Sequence, residues 1–411
     1  MEKLCVIGLG YVGLPLAVEL AEKYSVIGYD IDAKRIQELQ SGIDRTLEIS
    51  TERLNASKLE LTSKLEKVRD SNIFIITVPT PIDHEKKPDL SILLKATEDV
   101  GRVLKRGDLV IYESTVYPGC TEEDCVPVLE KVSGLKFNQD FFCGYSPERI
   151  NPGDKTKTIR DIVKVTSGST PEIANKVDAL YASIVTAGTF KTSSIRIAEA
   201  SKIVENTQRD INIAFVNELA MMFGEMGINT HEVLEAAGTK WNFMRVVPGL
   251  VGGQCIGVNP YYLSHKAKKH GHTPKLISVA REINDGMATH VASQVVKQML
   301  KKGIAVKGAK VLILGVTFKP NCPDVRNSKV LDLITELKDY ECEVEIYDPW
   351  ITEENALMEF GLPLTTLSCV NSLVGYSAIV LAVSHHVFRQ INFTGLNRSE
   401  TIFYDIKNVF S

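Results

Sequence analysis

The sequence predicts an α/β protein in which two doubly wound domains are joined by a long central helix. Three observations lead to this prediction. An apolar run, a glycine-rich turn, a helical pattern, a second apolar run and an aspartate follow one another at the start of the chain. Residues 195–226 have helical periodicity and contain no proline. The opening order of elements then returns, in weaker form, from residue 310 onwards.

The opening pattern predicts a Rossmann-like dinucleotide site. A predicted strand at 3–7 leads into the turn G-L-G-Y-V-G, which is followed by a predicted helix at 14–23 and a predicted strand at 26–29. Glycines in such a turn let the backbone approach a pyrophosphate, and the helix N terminus favours its negative charge. The predicted cofactor contacts in the turn are Gly8, Gly10, Tyr11, Val12 and Gly13.

The second predicted strand ends at Asp30, about 20 residues after the central glycine of the turn, as this motif requires. A carboxylate there binds the ribose hydroxyls and repels a 2′-phosphate, so Asp30 predicts NAD rather than NADP. Arg35 lies a helical turn beyond the strand and could reach a phosphate. It is therefore included among the predicted cofactor contacts.

Three further predicted strands end in polar loops. They cover residues 73–78, 109–112 and 141–144. The loops carry Thr80, Thr115 and Glu148. Ligands of open parallel sheets bind beyond the carboxyl ends of the strands, so all three residues are site candidates by position. For each threonine, a turn residue or helix cap is the alternative.

The predicted central helix, 195–226, carries Lys202 and Asn206 four residues apart and therefore on one face. The pair fits either a solvated surface or a crevice between domains, where it would hold an oxyanion. The spacing alone leaves both interpretations open.

Cys255 stands in the glycine-rich loop V-G-G-Q-C-I-G-V-N-P-Y-Y at 251–262. Glycine leaves room for a small ligand to approach the backbone and the thiol. Together with a nicotinamide site, such a cysteine suggests an oxidation that passes from an alcohol to an acid through a thioester. A buried, small apolar cysteine is the alternative. The eight cysteines show neither C-x-x-C nor zinc-type spacing to histidine, so no metal is expected.

The C-terminal part repeats the opening order. Predicted strands cover 311–314, 344–347, 378–383 and 402–405, and a helix is predicted at 329–340. Gly315 follows the first of these strands without a triple-glycine pattern, so we expect a nucleotide other than a dinucleotide here. Lys319 and Arg326 beside this turn could meet phosphates or a cofactor. The predicted domains are a cofactor domain (1–194), a central helical domain carrying the cysteine loop (195–300) and a nucleotide-sugar domain (301–411).

Composition limits the class of protein. Hydrophobic residues make up 44% and charged residues 24% of the 411 residues, as in globular proteins, and the net charge of -4 provides no basic field for nucleic acid or an anionic membrane. No apolar run approaches the roughly 20 residues that span a bilayer. The first residues do not read as a signal peptide. With scattered thiols, we expect a cytoplasmic protein.

Seven ordered motifs together resemble the UDP-glucose/GDP-mannose dehydrogenase family over essentially the whole chain. They are G-L-G-Y-V-G-L (8–14), V-P-T-P (78–81), E-S-T-V (113–116), S-P-E-R (146–149), A-S-K-I-V-E-N (200–206), G-G-Q-C-I-G-V (252–258) and T-F-K-P-N-C-P-D-V-R-N-S (317–328). The segment S-P-E-R-I-N-P-G-D at 146–154 is similar to the branch that acts on UDP-N-acetylhexosamines (GlcNAc or GalNAc).

The resemblance implies an NAD-dependent, four-electron oxidation of the sugar C6 alcohol to a carboxylate, which supplies a precursor of surface polysaccharide. Cys255 would carry the thiohemiacetal and the thioester, and Lys202 would stabilise the oxyanions. Glu148 would be the general base for water, and Thr115 and Asn206 would hold an ordered water. Lys319 would contact the substrate and Arg326 the cofactor.

Arg245 lies where the family reaches a neighbouring subunit's substrate, which implies a homodimer. The resemblance implies contacts with the UDP-sugar from Glu148, Arg149, Lys202, Asn206, Arg245, Gly252, Tyr261, Tyr262 and Lys319. Two residues depart from the family loop: Gln254 replaces a histidine and Asn259 replaces an aspartate that assists proton transfer. The alternatives are a UDP-glucose 6-dehydrogenase, a two-electron hydroxyacid-type dehydrogenase, and a catalytically impaired homologue that only binds or senses a nucleotide sugar.

Overall fold

The computed structural model describes residues 2–150, 157–365, 373–391 and 400–410. The chain forms two compact units. The first contains residues 1–205 and 261–272, and the second contains residues 206–260 and 273–411. The end of the predicted S-P-E-R-I-N-P-G-D motif, from residue 151, lies outside the described residues, as does Cys369. The division into three domains stays a prediction.

The first unit is built on an eight-stranded sheet. Its strands are β1 (Lys3–Ile7), β2 (Ser25–Tyr29), β3 (Glu60–Thr62), β4 (Ile73–Ile76), β5 (Leu109–Tyr112), β6 (Phe142–Tyr145), β7 (Lys164–Gly168) and β8 (Thr189–Lys191). Their order is β3-β2-β1-β4-β5-β6-β7-β8, and only the β6–β7 pair is antiparallel. The strand order reverses between β1 and β4, which is where doubly wound sheets bind ligands.

The predicted strands of this unit are all present, and β1 and β5 have the predicted bounds. Strand β7 was not predicted, because Lys164, Thr166 and Ser167 interrupt its apolar pattern, although all three are buried. The helices of this unit before the long central helix are α1 (Gly13–Ala21), α2 (Ala33–Gln40), α3 (Thr51–Ala56), α4 (Ser91–Gly101), α5 (Val126–Ser133) and α6 (Pro171–Ala182).

The central helix α7 (Ile195–Met226) has the bounds that its periodicity predicted. Lys202 and Asn206, which occupy successive turns of α7, are both buried. The interpretation of this pair as a solvated surface feature is therefore wrong.

The second unit contains a four-stranded parallel sheet in the order β10-β9-β11-β12. Its strands are β9 (Lys310–Leu314), β10 (Glu343–Tyr347), β11 (Ala378–Leu381) and β12 (Ile402–Asp405). The helices of this unit after α7 are α8 (Thr230–Ala237), α10 (Lys275–Lys301), α11 (Val330–Asp339) and α12 (Glu353–Phe360). Most of α9 (Asn259–Lys269) belongs to the first unit. Val311 and Ile313 of β9 join the core that α10 and α11 complete, while Leu312 and Leu314 face a second cluster around Phe388. This alternation places apolar side chains on both sheet faces, as parallel strands require.

Candidate active site

The glycine turn after β1 has the geometry of a phosphate-binding turn. Gly8 has φ +90°, which side-chain-bearing residues rarely adopt. A Cβ at Gly13 would collide with the Gly8 carbonyl oxygen and the Thr77 hydroxyl, so the start of α1 approaches the turn only because Gly13 has no side chain. A Cβ at Gly10 would meet nothing within 4 Å, which leaves open space above the turn. These residues fit a pyrophosphate.

Asp30 completes this site at the end of β2. Its Oδ2 accepts the N–H of Leu9 at 2.8 Å, and its Oδ1 accepts the N–H of Asp32 at 2.9 Å. These bonds fix the carboxylate, and each oxygen keeps acceptor capacity for a ribose hydroxyl. The carboxylate is only partly buried, as a ligand contact requires.

Arg35 is a buried residue rather than a surface cation. Its Nη2 forms an ion pair with Asp44 at 2.7 Å, and its Nε donates to the Leu9 carbonyl oxygen at 2.9 Å. Arg35 thus supports the phosphate turn from inside the protein. Its Nη1 is buried and forms no hydrogen bond within the described parts of the chain, so its contact with the cofactor stays a prediction.

Thr80, Thr115 and Tyr262 are brought together in the first unit. The Thr80 hydroxyl donates to the Thr115 carbonyl oxygen at 2.6 Å. The Tyr262 hydroxyl lies 3.0 Å from the carbonyl oxygens of Thr80 and Pro81 and donates to them. Tyr262 is fully buried, which favours a positioning role for this side chain over the predicted contact with substrate.

Glu148 is buried, and one of its two carboxylate oxygens accepts hydrogen bonds. Its Oε1 accepts the backbone N–H of Arg149 at 2.6 Å and that of Ile150, while its Oε2 has no hydrogen-bond partner among the residues described. One oxygen is therefore fixed, and the other is buried without a hydrogen-bond partner in the described part of the chain. The Arg149 guanidinium is already engaged, since its Nε pairs with Glu205 at 3.0 Å.

Cys255 is the one exposed cysteine of the seven in the described ranges. The others, Cys5, Cys120, Cys125, Cys143, Cys322 and Cys342, are buried, and none of the seven forms a disulfide. Exposure of this thiol contradicts the alternative of a small buried apolar cysteine.

The cysteine loop is clamped by the segment at 317–328, a contact that the sequence did not predict. A Cβ at Gly252 would collide with the Asn327 carbonyl oxygen, and one at Gly253 would collide with the ring of Phe318. The Gly253 N–H donates to that carbonyl oxygen at 3.0 Å, and the Asn327 side chain donates back to the Gly253 carbonyl oxygen at 2.9 Å. The glycines of the loop are thus needed for close packing around Cys255.

Asn259 connects the cysteine loop to α7. Its backbone N–H donates to the Cys255 carbonyl oxygen at 2.9 Å, which starts the first turn of α9. Its side-chain Oδ1 accepts the Nδ2 of Asn206 at 2.6 Å. Asn259 is fully buried, and its own Nδ2 forms no hydrogen bond in the part of the chain that is described. The structure thus joins Asn206 and Asn259, two residues that the sequence predicted separately.

Two anchors of the loop were missed by the sequence reasoning. The Asn217 side chain accepts the Gly249 N–H at 2.8 Å and donates to the Gly249 carbonyl oxygen at 3.1 Å, while it also donates to Asn284 of α10 at 2.8 Å. The Nζ of Lys407 donates to the Pro248 carbonyl oxygen at 3.0 Å, and burial lowers the pKa of this lysine to about 8. The sequence signal that could have revealed Asn217 is a polar residue at a core position of a helix.

The remaining predicted contacts have partners of their own. The Arg245 side chain is exposed and donates to the Gly238 carbonyl oxygen at 3.1 Å. Arg326 forms an ion pair with Asp324 at 2.6 Å.

Two predicted substrate contacts lie beside aromatic rings. The Lys319 Nζ lies 5.4 Å from the Phe318 ring centroid, and Tyr261 lies beneath the Lys86 ammonium at 5.5 Å. These distances fit cation–π contacts. The ligand contacts of Lys319 and Tyr261 stay predictions.

The described residues offer neither a metal-binding group nor a helix that could cross a membrane. Within 2–150, 157–365, 373–391 and 400–410, no group of three or more His, Cys, Asp or Glu residues could hold a metal ion. No helix in these ranges combines the length and apolar character that crossing a membrane requires.

The chain is similar to known nucleotide-sugar dehydrogenases over nearly its whole length. The chain is 58% identical over 410 residues to UDP-N-acetyl-D-glucosamine 6-dehydrogenase of Pseudomonas aeruginosa, which covers 98% of this chain and 96% of that protein. It is 52% identical over 412 residues to the protein of the same name from Salmonella typhi, with 99% and 96% covered. The solved structure of UDP-D-ManNAc dehydrogenase from Pyrococcus horikoshii has a TM-score of 0.90 and 33% identity, covering 100% of this chain and 96% of that chain.

Three domains of one protein family match successive parts of the chain. They are the NAD binding domain at residues 2–185, the central domain at 196–286 and the UDP binding domain at 312–411. The cofactor is thus NAD, as Asp30 predicted. The chain belongs to the UDP-glucose/GDP-mannose dehydrogenase family.

Proposed function

We propose that this protein oxidises the C6 alcohol of a UDP-N-acetylhexosamine to the uronic acid, with transfer of four electrons to two molecules of NAD. The observation that carries the proposal is the exposure of Cys255, the one exposed thiol among the seven described cysteines, in a glycine loop that packs against Asn327 and Phe318. A two-electron alcohol dehydrogenase needs no such thiol. The names of the relatives from Pseudomonas aeruginosa and Salmonella typhi support the substrate class.

The proposed chemistry follows from the residues of the chain. NAD, held by the glycine turn after β1 and by Asp30, would supply the hydride acceptor for both oxidations. After the first, the thiolate of Cys255 attacks the C6 aldehyde and forms a thiohemiacetal, and loss of the second hydride leaves a thioester. Lys202 stabilises the oxyanions of these species by its positive charge. Because Lys202 is buried, this electrostatic stabilisation is stronger than it would be in water.

Hydrolysis of the thioester requires a base. Glu148 serves because its Oε2 is the unsatisfied oxygen of a carboxylate whose other oxygen is fixed. Water attacks the acyl carbon, Glu148 takes the proton of the water, and the thiolate of Cys255 leaves. Asn206 and Thr115 orient water, and the bond from Asn206 to Asn259 supports this role by fixing the amide of Asn206.

The experiment is a count of NADH per sugar. Limiting UDP-GlcNAc, UDP-GalNAc or UDP-glucose is incubated with the enzyme and excess NAD, and the product is identified by mass spectrometry. We expect two NADH and one uronic acid per UDP-N-acetylhexosamine, with UDP-glucose oxidised more slowly. One NADH per sugar would indicate a two-electron dehydrogenase, and no NADH with any sugar would indicate an impaired homologue.

We propose further that the protein is a homodimer. Between residues 206 and 250, four large apolar side chains are more than half exposed, namely Phe215, Met226, Trp241 and Met244. The Met244 sulfur accepts hydrogen bonds from Gln208 and Asn212, which share a helix face with Phe215 at i, i+4 and i+7 spacing. Exposed apolar surface of this kind favours a protein contact. Sedimentation analysis should give a mass of two chains, and Trp241→Glu should yield monomers.

We also propose that the enzyme works in the cytoplasm and supplies a uronic acid for a surface polysaccharide. The absence of disulfides among the seven described cysteines is consistent with a reducing compartment. Fractionation of cells should recover the protein and its activity together in the cytoplasmic fraction.

A further inference from the structure

A buried lysine stands between two carboxylates in the first unit. Lys164, the first residue of β7, has a side chain that is only 2% exposed. Its Nζ lies 2.6 Å from Glu113 Oε2 and 3.7 Å from Glu148 Oε2. Glu113 follows β5 and Glu148 follows β6, so the ends of three strands of one sheet place these charges together.

The two carboxylates are satisfied differently. Glu113 accepts a hydrogen bond on each oxygen, from Lys164 on Oε2 and from the hydroxyl of Tyr181 on Oε1. The Lys164 ammonium also lies 5.1 Å from the centroid of the Tyr181 ring. Glu148, in contrast, has an Oε2 without a hydrogen-bond partner in the described chain, and this oxygen is the one nearest to Lys164. Both oxygens of Glu113 are therefore paired, whereas one oxygen of Glu148 has no hydrogen-bond partner among the described residues.

We propose that Lys164 is a positioning residue for Glu148: the Lys164 ammonium attracts Oε2 of Glu148 and holds this oxygen where it can accept a proton from water. The inference rests on the proposed function, in which Glu148 is the base for thioester hydrolysis. Glu113, held by Tyr181, fixes the ammonium between the two carboxylates.

The charge of Lys164 is needed because of its surroundings. Burial and the repulsion of a second carboxylate both destabilise a negative charge. An ammonium 3.7 Å from Glu148 Oε2 opposes both effects. Arg149, the next residue in the chain, forms an ion pair with Glu205. Burial alone would lower the pKa of Lys164, but Glu113 and Glu148 outweigh it and raise this pKa, so the ammonium persists at neutral pH.

The affected step is the cleavage of the thioester on Cys255. The oxygen of water bonds to the C6 acyl carbon, the carbon–sulfur bond breaks, the sulfur leaves as the thiolate, and the proton of water goes to Glu148 Oε2. No electrons are transferred to or from the substrate in this step. Loss of the ammonium should consequently slow hydrolysis while sparing both hydride transfers.

The test compares E113Q with E113Q/K164M. The first variant keeps the ammonium and the hydrogen bond to Tyr181, and the second removes the ammonium without leaving Glu113 as an unpaired buried charge. The wild-type enzyme must first give two NADH per UDP-N-acetylhexosamine, a result that tests the proposed function separately. Rapid mixing then measures the first-turnover NADH, and intact-protein mass spectrometry measures the acyl adduct on Cys255.

We expect the double variant to lose about 10- to 100-fold in steady-state rate relative to E113Q at pH 7. The double variant should still release two NADH per site in its first turnover and should accumulate the acyl adduct. If E113Q/K164M does not fold, E113Q/K164Q replaces it. An unchanged steady-state rate would overturn the proposal, and so would a slower rate without an acyl adduct, because Lys164 would then act before hydrolysis or only on the fold.

Discussion

The two units use the same turn in opposite ways. In the first, Gly8 at φ +90° follows β1, and Asp30 at the end of β2 accepts the N–H of the turn residue Leu9. In the second, Gly315 at φ +83° follows β9, and Asp348 after β10 accepts the N–H of Val316 at 2.8 Å. The strand, the left-handed glycine and the acid that catches the turn are therefore repeated.

The two turns differ in the other groups that form hydrogen bonds with the aspartate. Asp348 is only 2% exposed and also accepts from Thr317, Trp350 and the Nε2 of His385, which lies 3.0 Å away. Because the Nδ1 of His385 accepts the N–H of Asn321, the ring proton is on Nε2 and points to Asp348. A protein side chain thus occupies the position that a ribose would take in the first turn. The same motif serves ligand binding in one unit and loop anchoring in the other.

The largest effect is expected in the glycines of the first turn. Gly13→Ala should abolish NAD binding and lower the free energy of unfolding by about 3 kcal/mol, because its Cβ would collide with the Gly8 carbonyl oxygen and with Thr77. Gly10→Ala is the matched control, since its Cβ meets nothing within 4 Å and should leave stability unchanged. Calorimetric titration of NAD and thermal unfolding measure both effects. Tight NAD binding by Gly13→Ala would contradict the assignment of this turn.

The next effect concerns the acid of the second turn. Burial alone would raise the pKa of Asp348, but the bonds from His385 and the turn outweigh it, and the pKa lies below its ordinary value of 3.8. A depressed pKa contributes stability above pH 3.8, and this contribution is lost as pH falls through the lower folded value. Asp348→Asn should therefore destabilise the protein by about 2 kcal/mol at pH 7.

The pH dependence distinguishes this account from a simple packing defect. The wild-type and Asp348→Asn proteins should converge in stability as pH falls below 3.8, which chemical denaturation at several pH values measures. A difference that stays constant down to pH 2 would show that the charge of Asp348 does not stabilise the turn. NAD affinity should be unchanged in this variant.

Both turns could be predicted from the sequence, since strands, glycines and acids have local signals. The partner of Asp348 could not, because His385 lies 37 residues later and its position depends on β11. The same limit applies to Lys164 and Asn217, whose roles arise only when distant segments pack. Cys255 and Glu148 were predicted through motifs, but the clamp on Gly252 and Gly253 by Asn327 and Phe318 required the folded second unit.

A smaller effect is expected at Asp30, the open acid of the comparison. Asp30→Asn removes the negative charge but keeps an oxygen for the ribose, so NADP should gain about tenfold relative to NAD in kcat/KM. Steady-state kinetics with both cofactors measures this ratio. Equal use of NAD and NADP by the wild-type enzyme would instead show that Arg35 governs the choice.

The smallest effect is expected at Asn259, where an amide stands in place of an acid. A carboxylate there would still accept the hydrogen bond from Asn206 and would remove the unpaired Nδ2. Asn259→Asp should raise kcat for acid formation by a few-fold, roughly the lower end of the effects of general acid–base groups. An unchanged or lower kcat would mean that Asn259 only shapes the start of α9.

The central claim is that Cys255 carries the substrate between the two oxidations. The most direct measurement is the formation of uronic acid by the Cys255→Ala variant, followed together with NADH and with NAD binding. We predict unchanged NAD affinity, no more than one NADH per UDP-N-acetylhexosamine and no uronic acid. Formation of the acid at a rate near that of the wild-type enzyme would contradict the thioester mechanism.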